Sequence, residues 1–296
     1  MNVLITGCSG AIGNYLSHYF LDKGWIVYGV SRKNVNICHK NFNLVHSSID
    51  KGFFQLPQID FCIHTAALPP DHDISTIDYV RNNVIGTSHV LGSVIESKCK
   101  KIVFLSGVSL YGNVFDKVID EKTSIINPSI YGISKYLSEC EIIEQTDVEY
   151  VILRLPGVLG VNAKVKPWLI KLIQNIVDGS DVDAYNKDEL FNNAIDIYDL
   201  SIFIDMCLSS HQIKNKKFIL GASNPMTIQE ITDYIKAVAN SKSTISFSNK
   251  GNSFTVDFSK AKAFGYNPLD LQNIIRRQIY FMQKSTNKVK LLKYKY

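Results

Sequence analysis

Tyr131 and Lys135 form a pair of side chains whose chemical types suit proton transfer. They are four residues apart, so a helix would place them on one face, and Asn127 and Pro128 could open that helix as its N-cap and first residue. A lysine charge on the same face lowers the pKa of a tyrosine phenol, which makes the phenol a usable acid or base near neutral pH. The sequence therefore predicts a catalytic pair.

The spacing alone does not single out this pair, because Tyr19 and Lys23, and also Tyr280 and Lys284, are four residues apart. The first of these pairs ends the first predicted helix, away from the strand ends where α/β folds bind ligands. The second begins a basic tail. Tyr131 alone follows the end of a predicted strand, with a serine-containing turn between them.

A glycine-rich turn, Thr6-Gly7-Cys8-Ser9-Gly10-Ala11-Ile12-Gly13, joins the first predicted strand to the first predicted helix. Glycines suit a tight turn, a close approach of phosphate to the backbone and close packing of helix on strand. The helix N-terminus adds unpaired N–H groups and a partial positive charge for a pyrophosphate. We therefore expect a nicotinamide dinucleotide here. The residues expected to contact it are Gly7, Ser9, Gly10, Ala11, Ile12 and Gly13.

The end of the second predicted strand selects between the two nicotinamide cofactors. An acidic residue there would bind the adenosine ribose hydroxyls of NAD, whereas basic or small polar residues admit the 2′-phosphate of NADP. Ser31 occupies this end and is followed by Arg32 and Lys33. NADP(H) is therefore favoured, and NAD(H) stays possible.

Short apolar runs alternate with helical patterns through the first half of the chain, which is typical of a parallel sheet covered on both faces. The sequence thus predicts an α/β fold with a doubly wound parallel sheet of the Rossmann type. Its predicted strands are Asn2–Thr6, Trp25–Val30, Leu44–Ser47, Asp60–Thr65, Lys101–Ser106 and Tyr150–Leu155. Its later helices are predicted around Ser75–Lys98 and Ser129–Gln145.

The alternation loosens after Arg154, where Pro156, Gly157 and Gly160 interrupt it. We expect residues 1–155 to form the dinucleotide-binding domain and 156–283 to form mainly a smaller C-terminal substrate-binding lobe. Residues 193–209 are expected to return to the sheet, and residues 284–296 to form a basic tail.

Composition excludes several classes of protein. The net charge is +5, and the last thirteen residues hold five lysines and no acid, so the rest of the chain has no formal net charge and does not resemble a nucleic-acid-binding protein. The six cysteines stand singly, which indicates neither a metal site nor a disulfide framework. No signal peptide is apparent and no apolar run reaches ~18 residues. We expect a cytoplasmic protein without an integral membrane segment.

Several motifs together resemble the extended short-chain dehydrogenase/reductases, in particular the NAD-dependent epimerase/dehydratase family that acts on nucleotide sugars. These motifs are the glycine-rich turn, Ile63-His64-Thr65-Ala66-Ala67, Asn82-Asn83-Val84-Ile85-Gly86-Thr87 and Tyr131-Gly132-Ile133-Ser134-Lys135, and the similarity spans nearly the whole chain.

The resemblance implies roles for individual residues. Tyr131 would exchange a proton with a hydroxyl or carbonyl of a nucleotide-sugar substrate, and Lys135 would hold the nicotinamide ribose. The helices around 75–98 and 129–145 would pair across a homodimer interface. Ser48 and Ile49 stand where relatives often have Asp-Ile beside the adenine. The other positions implied to line the cofactor are Ala66, Ala67 and Asn83.

The turn before Tyr131 departs from the family pattern Ser-Ser-x-x-Val-Tyr-Gly, in which the second Ser or Thr hydrogen-bonds the reacting oxygen. This chain has Ser106-Gly107-Val108-Ser109-Leu110-Tyr111-Gly112, so Gly107 takes the hydroxyl position. We expect Ser109 to supply the hydroxyl. Ser106 could do so if the backbone shifts by one residue, or the enzyme is impaired. Both serines are also compatible with turn residues that bond their own backbone.

The same turn argues against one reaction. Relatives that are 4,6-dehydratases carry an Asp-Glu pair where this chain has Val108 and Ser109, so dehydration is not expected. Lys164 and Lys166 could reach a substrate diphosphate, although lysines before a helix are more commonly solvated. His64 is interpreted as a hydrogen-bonded core histidine.

Taken together, the sequence favours an NADP(H)-dependent reductase of a nucleotide-linked 4-keto sugar in sugar-nucleotide and surface-polysaccharide biosynthesis, with Tyr131 as the acid/base. An NAD-dependent nucleotide-sugar 4-epimerase is the first alternative. A non-catalytic dinucleotide-binding regulator, suggested by Gly107, is the second.

Overall fold

The computed structural model describes residues 1–52, 55–162 and 164–285. The strands are β1 (Asn2–Thr6), β2 (Ile26–Ser31), β3 (Phe42–His46), β4 (Phe61–His64), β5 (Lys101–Gly107), β6 (Val118–Ile119), β7 (Glu149–Leu155), β8 (Gly157–Leu159), β9 (Val182–Tyr185), β10 (Leu190–Phe191), β11 (Ala194–Asp196), β12 (Lys216–Ile219), β13 (Met226–Thr227), β14 (Ile245–Ser248) and β15 (Thr255–Val256). The α-helices are α1 (Ala11–Asp22), α2 (Thr76–Tyr79), α3 (Gly86–Glu96), α4 (Ile130–Glu144), α5 (Trp168–Val177), α6 (Ile197–Ser209), α7 (Ile228–Ala239), α8 (Ser259–Ala263) and α9 (Leu271–Ser285).

The central sheet has seven strands in the order β12-β7-β5-β4-β1-β2-β3, and its neighbouring strands run parallel. The predicted doubly wound Rossmann-type sheet is therefore confirmed. Strand β1 lies between β2 and β4, so the order of the strands reverses at β1. In such sheets a crevice opens beyond the carboxyl ends of the strands at the reversal point.

Each face of the sheet is covered by helices. Phe20 of α1 and Phe203 of α6 pack with Val103 and Leu105 of β5 in one buried cluster. On the other face, α3 and α4 pack against Phe104 in a second cluster. Side chains of a strand point alternately to the two faces. Even-numbered residues of β5 therefore face the helix that carries Tyr131 and Lys135.

The sheet extends beyond the predicted strands. Strand β12 pairs with β7 at the sheet edge, with Phe218 opposite Leu153, and was not predicted. Helix α6 packs against α1 and β5. A third buried cluster joins α5, α7 and α9 through Ile173, Ile231 and Ile275. The domain boundaries given above remain a prediction, and residues 286–296 of the predicted basic tail lie outside the described residues.

Two local predictions need correction. Helix α4 is capped by Ser129, whose hydroxyl accepts a hydrogen bond from the Gly132 N–H, and not by Asn127. Asn127 has a φ of +47°, in the left-handed region, whereas an N-cap residue needs an extended backbone. The predicted helix 75–98 contains a π-helical turn at Val80–Ile85 between α2 and α3.

Across the described ranges, no helix is long and apolar enough to cross a bilayer.

Candidate active site

The turn between β1 and α1 has the geometry of a phosphate-binding loop. Gly7 has a φ of +71°, and a Cβ atom at Gly13 would lie 2.3 Å from the Gly7 carbonyl oxygen, so a side chain at either position would distort the turn. The N-cap of α1 is Gly10, no side chain caps this helix, and its first turn holds no acid. The free N–H groups and positive end of α1 are therefore available to an anion.

A cleft of about 410 Å³ opens at this turn, at the carboxyl edge of the sheet. Most of the predicted cofactor residues line it together with Tyr131, while Asn83, Lys135, Ser106 and Ser109 are not among its lining residues. The predicted residues in its wall are Gly7, Ser9, Gly10, Ala11, Ile12, Gly13, Ser31, Arg32, Ser48, Ile49, Ala66, Ala67 and Tyr131.

Behind the end of the cleft near β2 and β3 lies the Asp50 carboxylate, next to the lining residues Ser48 and Ile49. The Ser48 hydroxyl donates a hydrogen bond to Asp50, and this bond, followed by smaller effects that include the charge of Arg32, lowers the pKa of Asp50. Ser31 is buried, and its hydroxyl oxygen accepts a hydrogen bond from the Lys33 N–H at 3.0 Å. Arg32 thus has an acidic neighbour at this end of the cleft.

Tyr131 follows the N-cap of α4 and lies with its ring edge-on to Tyr79, with ring centroids 6.0 Å apart. Burial, and to a lesser degree Tyr79, raises the pKa of Tyr131 to about 12. Burial thus dominates this pKa, and the lowering by Lys135 that the sequence suggests stays a prediction. The Lys135 Nζ atom lies 4.1 Å from the centroid of the Phe104 ring, over the sheet.

Lys135 is only 3% exposed. Burial lowers the pKa of its ammonium to about 7, and the opposing negative charge of Glu139 limits that decrease. A lysine with such a pKa changes its charge within the physiological range, which is unusual for this residue type.

Buried polar side chains connect the floor of the cleft to α4. The Asn83 amide accepts from the Leu68 N–H at 2.8 Å and donates to the Ser134 hydroxyl at 2.9 Å. His64 bridges the Thr6 hydroxyl at 2.7 Å and the Thr87 hydroxyl at 3.0 Å, as the core interpretation predicted. Asn83 therefore fixes the loop after β4 to α4 from below the cleft wall.

The turn at Gly107 differs from the glycine-rich loop. Gly107 has an extended backbone, and a Cβ there would meet the Ser109 Oγ atom at 3.4 Å, which is ordinary contact. Ser109 is the second residue of the short 3₁₀ turn Val108–Tyr111, and its hydroxyl lies beside the space that a side chain at 107 would fill. Ser106 is 5% exposed, and its hydroxyl has no hydrogen-bond partner among the described residues.

Some cleft residues were missed or weighed too lightly. Asn82, next to the predicted Asn83, lines the cleft, and its amide donates to the Asp78 carbonyl. The π-helical turn shifts which side of the helix faces the cleft, so the sequence pattern alone did not reveal this residue. Lys164 also lines the cleft, whereas the Lys166 ammonium donates to Gln174 on the exposed surface.

The chain is similar to a known protein family and to individual enzymes. The family model described as "NAD dependent epimerase/dehydratase family" matches residues 3–211. A UDP-glucose 4-epimerase of Halalkalibacterium halodurans is 31% identical over 174 residues, or 54% of this chain and 52% of the relative. The dTDP-D-glucose 4,6-dehydratase of Homo sapiens is 28% identical over 198 residues, 58% of this chain and 56% of the relative. The chain thus spans little more than half the length of these relatives.

The fold as a whole resembles the solved structure of MoeE5 in complex with UDP-glucose and NAD. The TM-score is 0.82 at 20% sequence identity, covering 97% of this chain and 100% of that chain. The expectation of an enzyme of the short-chain dehydrogenase/reductase type is confirmed by the family match and the relatives. The chain belongs to the NAD-dependent epimerase/dehydratase family.

Proposed function

We propose that this protein is an NAD-dependent 4-epimerase of a UDP-linked sugar. The observation that carries the proposal is that Tyr131 stands in the wall of the same cleft whose floor is the Gly7–Gly13 turn. The nucleotide and the reaction are inferred from similarity to a UDP-glucose 4-epimerase. Val108 and Ser109 offer no carboxylate beside Tyr131, which argues against the dehydratase reaction of the other relative.

Two features favour NAD over the NADP(H) that Ser31 and Arg32 alone suggested. Asp50 lies close enough to Arg32 for the two charges to interact, so Arg32 presents a less positive environment to a 2′-phosphate. MoeE5, which has the same fold, was solved with NAD. An NADPH-dependent 4-keto-sugar reductase remains the second candidate because of Ser31 and Arg32.

The cleft fits a dinucleotide in shape and chemistry. A Cβ atom at Gly13 would distort its floor by clashing with the Gly7 carbonyl, and the uncapped N-terminus of α1 suits a pyrophosphate. Ser48 and Ile49 would lie beside the adenosine, and Ala66 and Ala67 would lie beside the dinucleotide further along the cleft. The bound NAD supplies a reversible acceptor for the hydride on C4 of the sugar.

Proton transfer falls to Tyr131. As the C4 hydride leaves, the sugar hydroxyl passes its proton to the Tyr131 oxygen, and the resulting 4-keto sugar turns its other face before both are returned. Burial raises the pKa of the Tyr131 phenol, so it holds the proton that it returns in the second half of this cycle. For the first half the phenolate is needed, and the charge of Lys135, one helical turn away, favours it.

Ser109 is proposed to donate a hydrogen bond to the C4 oxygen in place of the absent hydroxyl at Gly107. Its Oγ atom is the nearest atom to the position of a Cβ at residue 107. A donor aimed at an oxygen that gains negative charge stabilises the transition state.

We also propose that the protein is a homodimer. Helix α4 and the α2–π-turn segment expose apolar side chains, among them Leu137 (44% exposed) and Ile77 (58% exposed). A second copy paired on these helices would cover them. Light scattering during gel filtration should give twice the chain mass, and Leu137→Glu should give the monomer mass.

The experiment that separates epimerase from reductase is release of the cofactor from freshly purified protein by denaturation. An epimerase that keeps its cofactor through turnover should release NAD close to one per chain. Recovery of no cofactor, together with NADPH-selective stabilisation in a thermal-shift assay, would support the reductase instead.

A further inference from the structure

We propose that Glu139 and Arg154 are positioning residues for the reaction: Glu139 balances the charge of the buried Lys135 ammonium, and Arg154 ties that carboxylate to the turn that carries Ser109. The inference deepens the proposed function and rests on it only where activity is measured.

The pair is buried and fully hydrogen-bonded. Glu139 is 0% and Arg154 2% exposed. The Arg154 Nε atom donates to Glu139 Oε1 at 3.1 Å and its second terminal nitrogen donates to Oε2 at 2.7 Å. Two charges removed from water in this way stabilise a fold little by themselves, because desolvation offsets their attraction. The burial of the Glu139–Arg154 pair therefore favours a role in positioning other side chains over a role in stability.

Glu139 lies one helical turn after Lys135 on α4, and its carboxylate opposes the effect of burial on the pKa of Lys135. Among the described residues, His64, Tyr131 and Tyr79 also lie near Lys135. Burial, with the Lys135 charge, lowers the pKa of His64 to about 3, and Tyr131 and the Tyr79 beside it are phenols. Arg154 lies behind Glu139. The negative charge that acts on Lys135 thus comes from Glu139.

Arg154 extends the same network to the catalytic turn. Its first terminal nitrogen donates to the Tyr111 hydroxyl at 2.9 Å and to the Glu121 carbonyl at 3.2 Å. Tyr111 is the last residue of the 3₁₀ turn that contains Ser109, and the Tyr111 hydroxyl donates to the Asp120 carbonyl at 2.6 Å. The helix with Tyr131 and Lys135 and the turn with Ser109 are therefore held by one guanidinium.

The turn also touches the helix directly. A Cβ atom at Gly132 would lie 2.5 Å from the Ser109 carbonyl oxygen, so the backbone of the turn rests on α4 one residue after Tyr131. Loss of the Arg154–Tyr111 bond would let this contact loosen without changing the charge near Lys135. The two halves of the proposal can therefore be tested separately.

The test follows the ionisation of Lys135 by NMR in protein labelled with ¹³C at the lysine ε-carbon and saturated with NAD. The resonance is assigned by its absence in Lys135→Met. Glu139→Gln should lower the titration midpoint by at least about one pH unit, the effect of removing a close opposite charge. The alkaline limit of kcat should move down with it, with little change in KM. Tyr111→Phe should leave the midpoint unchanged and lower kcat.

If Glu139→Gln does not fold, the double variant Glu139→Gln/Arg154→Met replaces it, because it leaves no unpaired buried charge. The titration midpoint of Lys135 should be lower in this double variant than in the wild-type protein. An unchanged midpoint in the folded variants overturns the proposal, as does an equal shift in Tyr111→Phe. A shifted midpoint in a protein that interconverts no UDP-sugar would refute the proposed function and leave this inference standing.

Discussion

Two glycines in this protein, Gly13 in the glycine-rich turn and Gly107 in the turn before Tyr131, differ in whether the structure requires them. At Gly13 a Cβ atom would overlap the Gly7 carbonyl at 2.3 Å, so the backbone excludes every other residue. At Gly107 the nearest atom would be 3.4 Å away and the backbone is extended, so other residues would fit. Sterics therefore require the glycine at position 13, whereas position 107 has room for a side chain.

This difference explains why the family pattern holds at the glycine-rich turn and breaks at Gly107. A phosphate loop is built from backbone, and its sequence is constrained by sterics. A hydroxyl donor is a side chain, and a neighbour such as Ser109 can supply the same atom from another position.

The largest effect is expected at Tyr131. Tyr131→Phe removes the proton donor and acceptor while keeping the ring, so kcat should fall by roughly 10²–10⁴. Because the glycine-rich turn is unaffected, NAD should still be bound, as cofactor release after denaturation would reveal. Retained turnover would favour the regulator interpretation over an enzyme.

Ser109→Ala should lower kcat by about 10²–10³, the cost of one lost donor at a developing oxyanion. Steady-state rates with a UDP-sugar measure this directly. Adding Gly107→Ser to Ser109→Ala should restore much of the loss, since position 107 has room for a side chain.

Ser106→Ala is the matched control for the serine pair, because its hydroxyl is buried without a described partner. We expect a small effect on kcat. If Ser106→Ala lost the activity and Ser109→Ala kept it, the assignment of the donor would pass to Ser106.

The same substitution at the two glycines gives the sharpest contrast in binding. Gly13→Ala should weaken NAD binding at least about tenfold, because the loop must shift where the pyrophosphate would lie. Gly107→Ala should leave NAD affinity unchanged and stability within about 0.5 kcal/mol or slightly improved. Isothermal titration of cofactor-free protein and thermal unfolding measure both. Equal losses at the two positions would remove the distinction.

The smallest effect concerns His64 beneath the cofactor loop. Its pKa is lowered to about 3, mainly by burial, whereas an unfolded histidine titrates near ~6.5. Between these two pKa values only the unfolded chain takes up the proton. The free energy of unfolding is therefore unaffected by His64 above pH ~6.5 and decreases as the pH falls below it. At pH ~5 the loss should be about 2 kcal/mol, and His64→Gln should lack this part of the acid dependence in denaturant titrations.

The sequence predicted the parallel sheet, the turn after β1 and the helix that carries Tyr131 and Lys135, because each follows from spacing along one or two elements. It did not predict β12, a four-residue strand that begins with two lysines. Its assignment depends on an edge position beside β7, which only the folded chain reveals.

The positions of the Lys135 and Asn83 side chains could not be predicted from the sequence either. Helical spacing correctly placed Lys135 one turn from Tyr131, but not its ammonium over Phe104 or its burial. Asn83 lies in a π-helical turn, where its amide bonds the Leu68 N–H and the Ser134 hydroxyl, and its contact with the cofactor stays a prediction. Both outcomes depend on packing between elements far apart in the chain.

The most direct test of the central claim uses a UDP-hexose that carries deuterium at C4, incubated with the protein and no added cofactor. We expect the C4 epimer with the deuterium still on C4 and no release of reduced cofactor, because the deuteride would leave and return within one cleft. A protein that forms no epimer from any UDP-hexose, but oxidises NADPH with a 4-keto nucleotide sugar, would contradict this expectation.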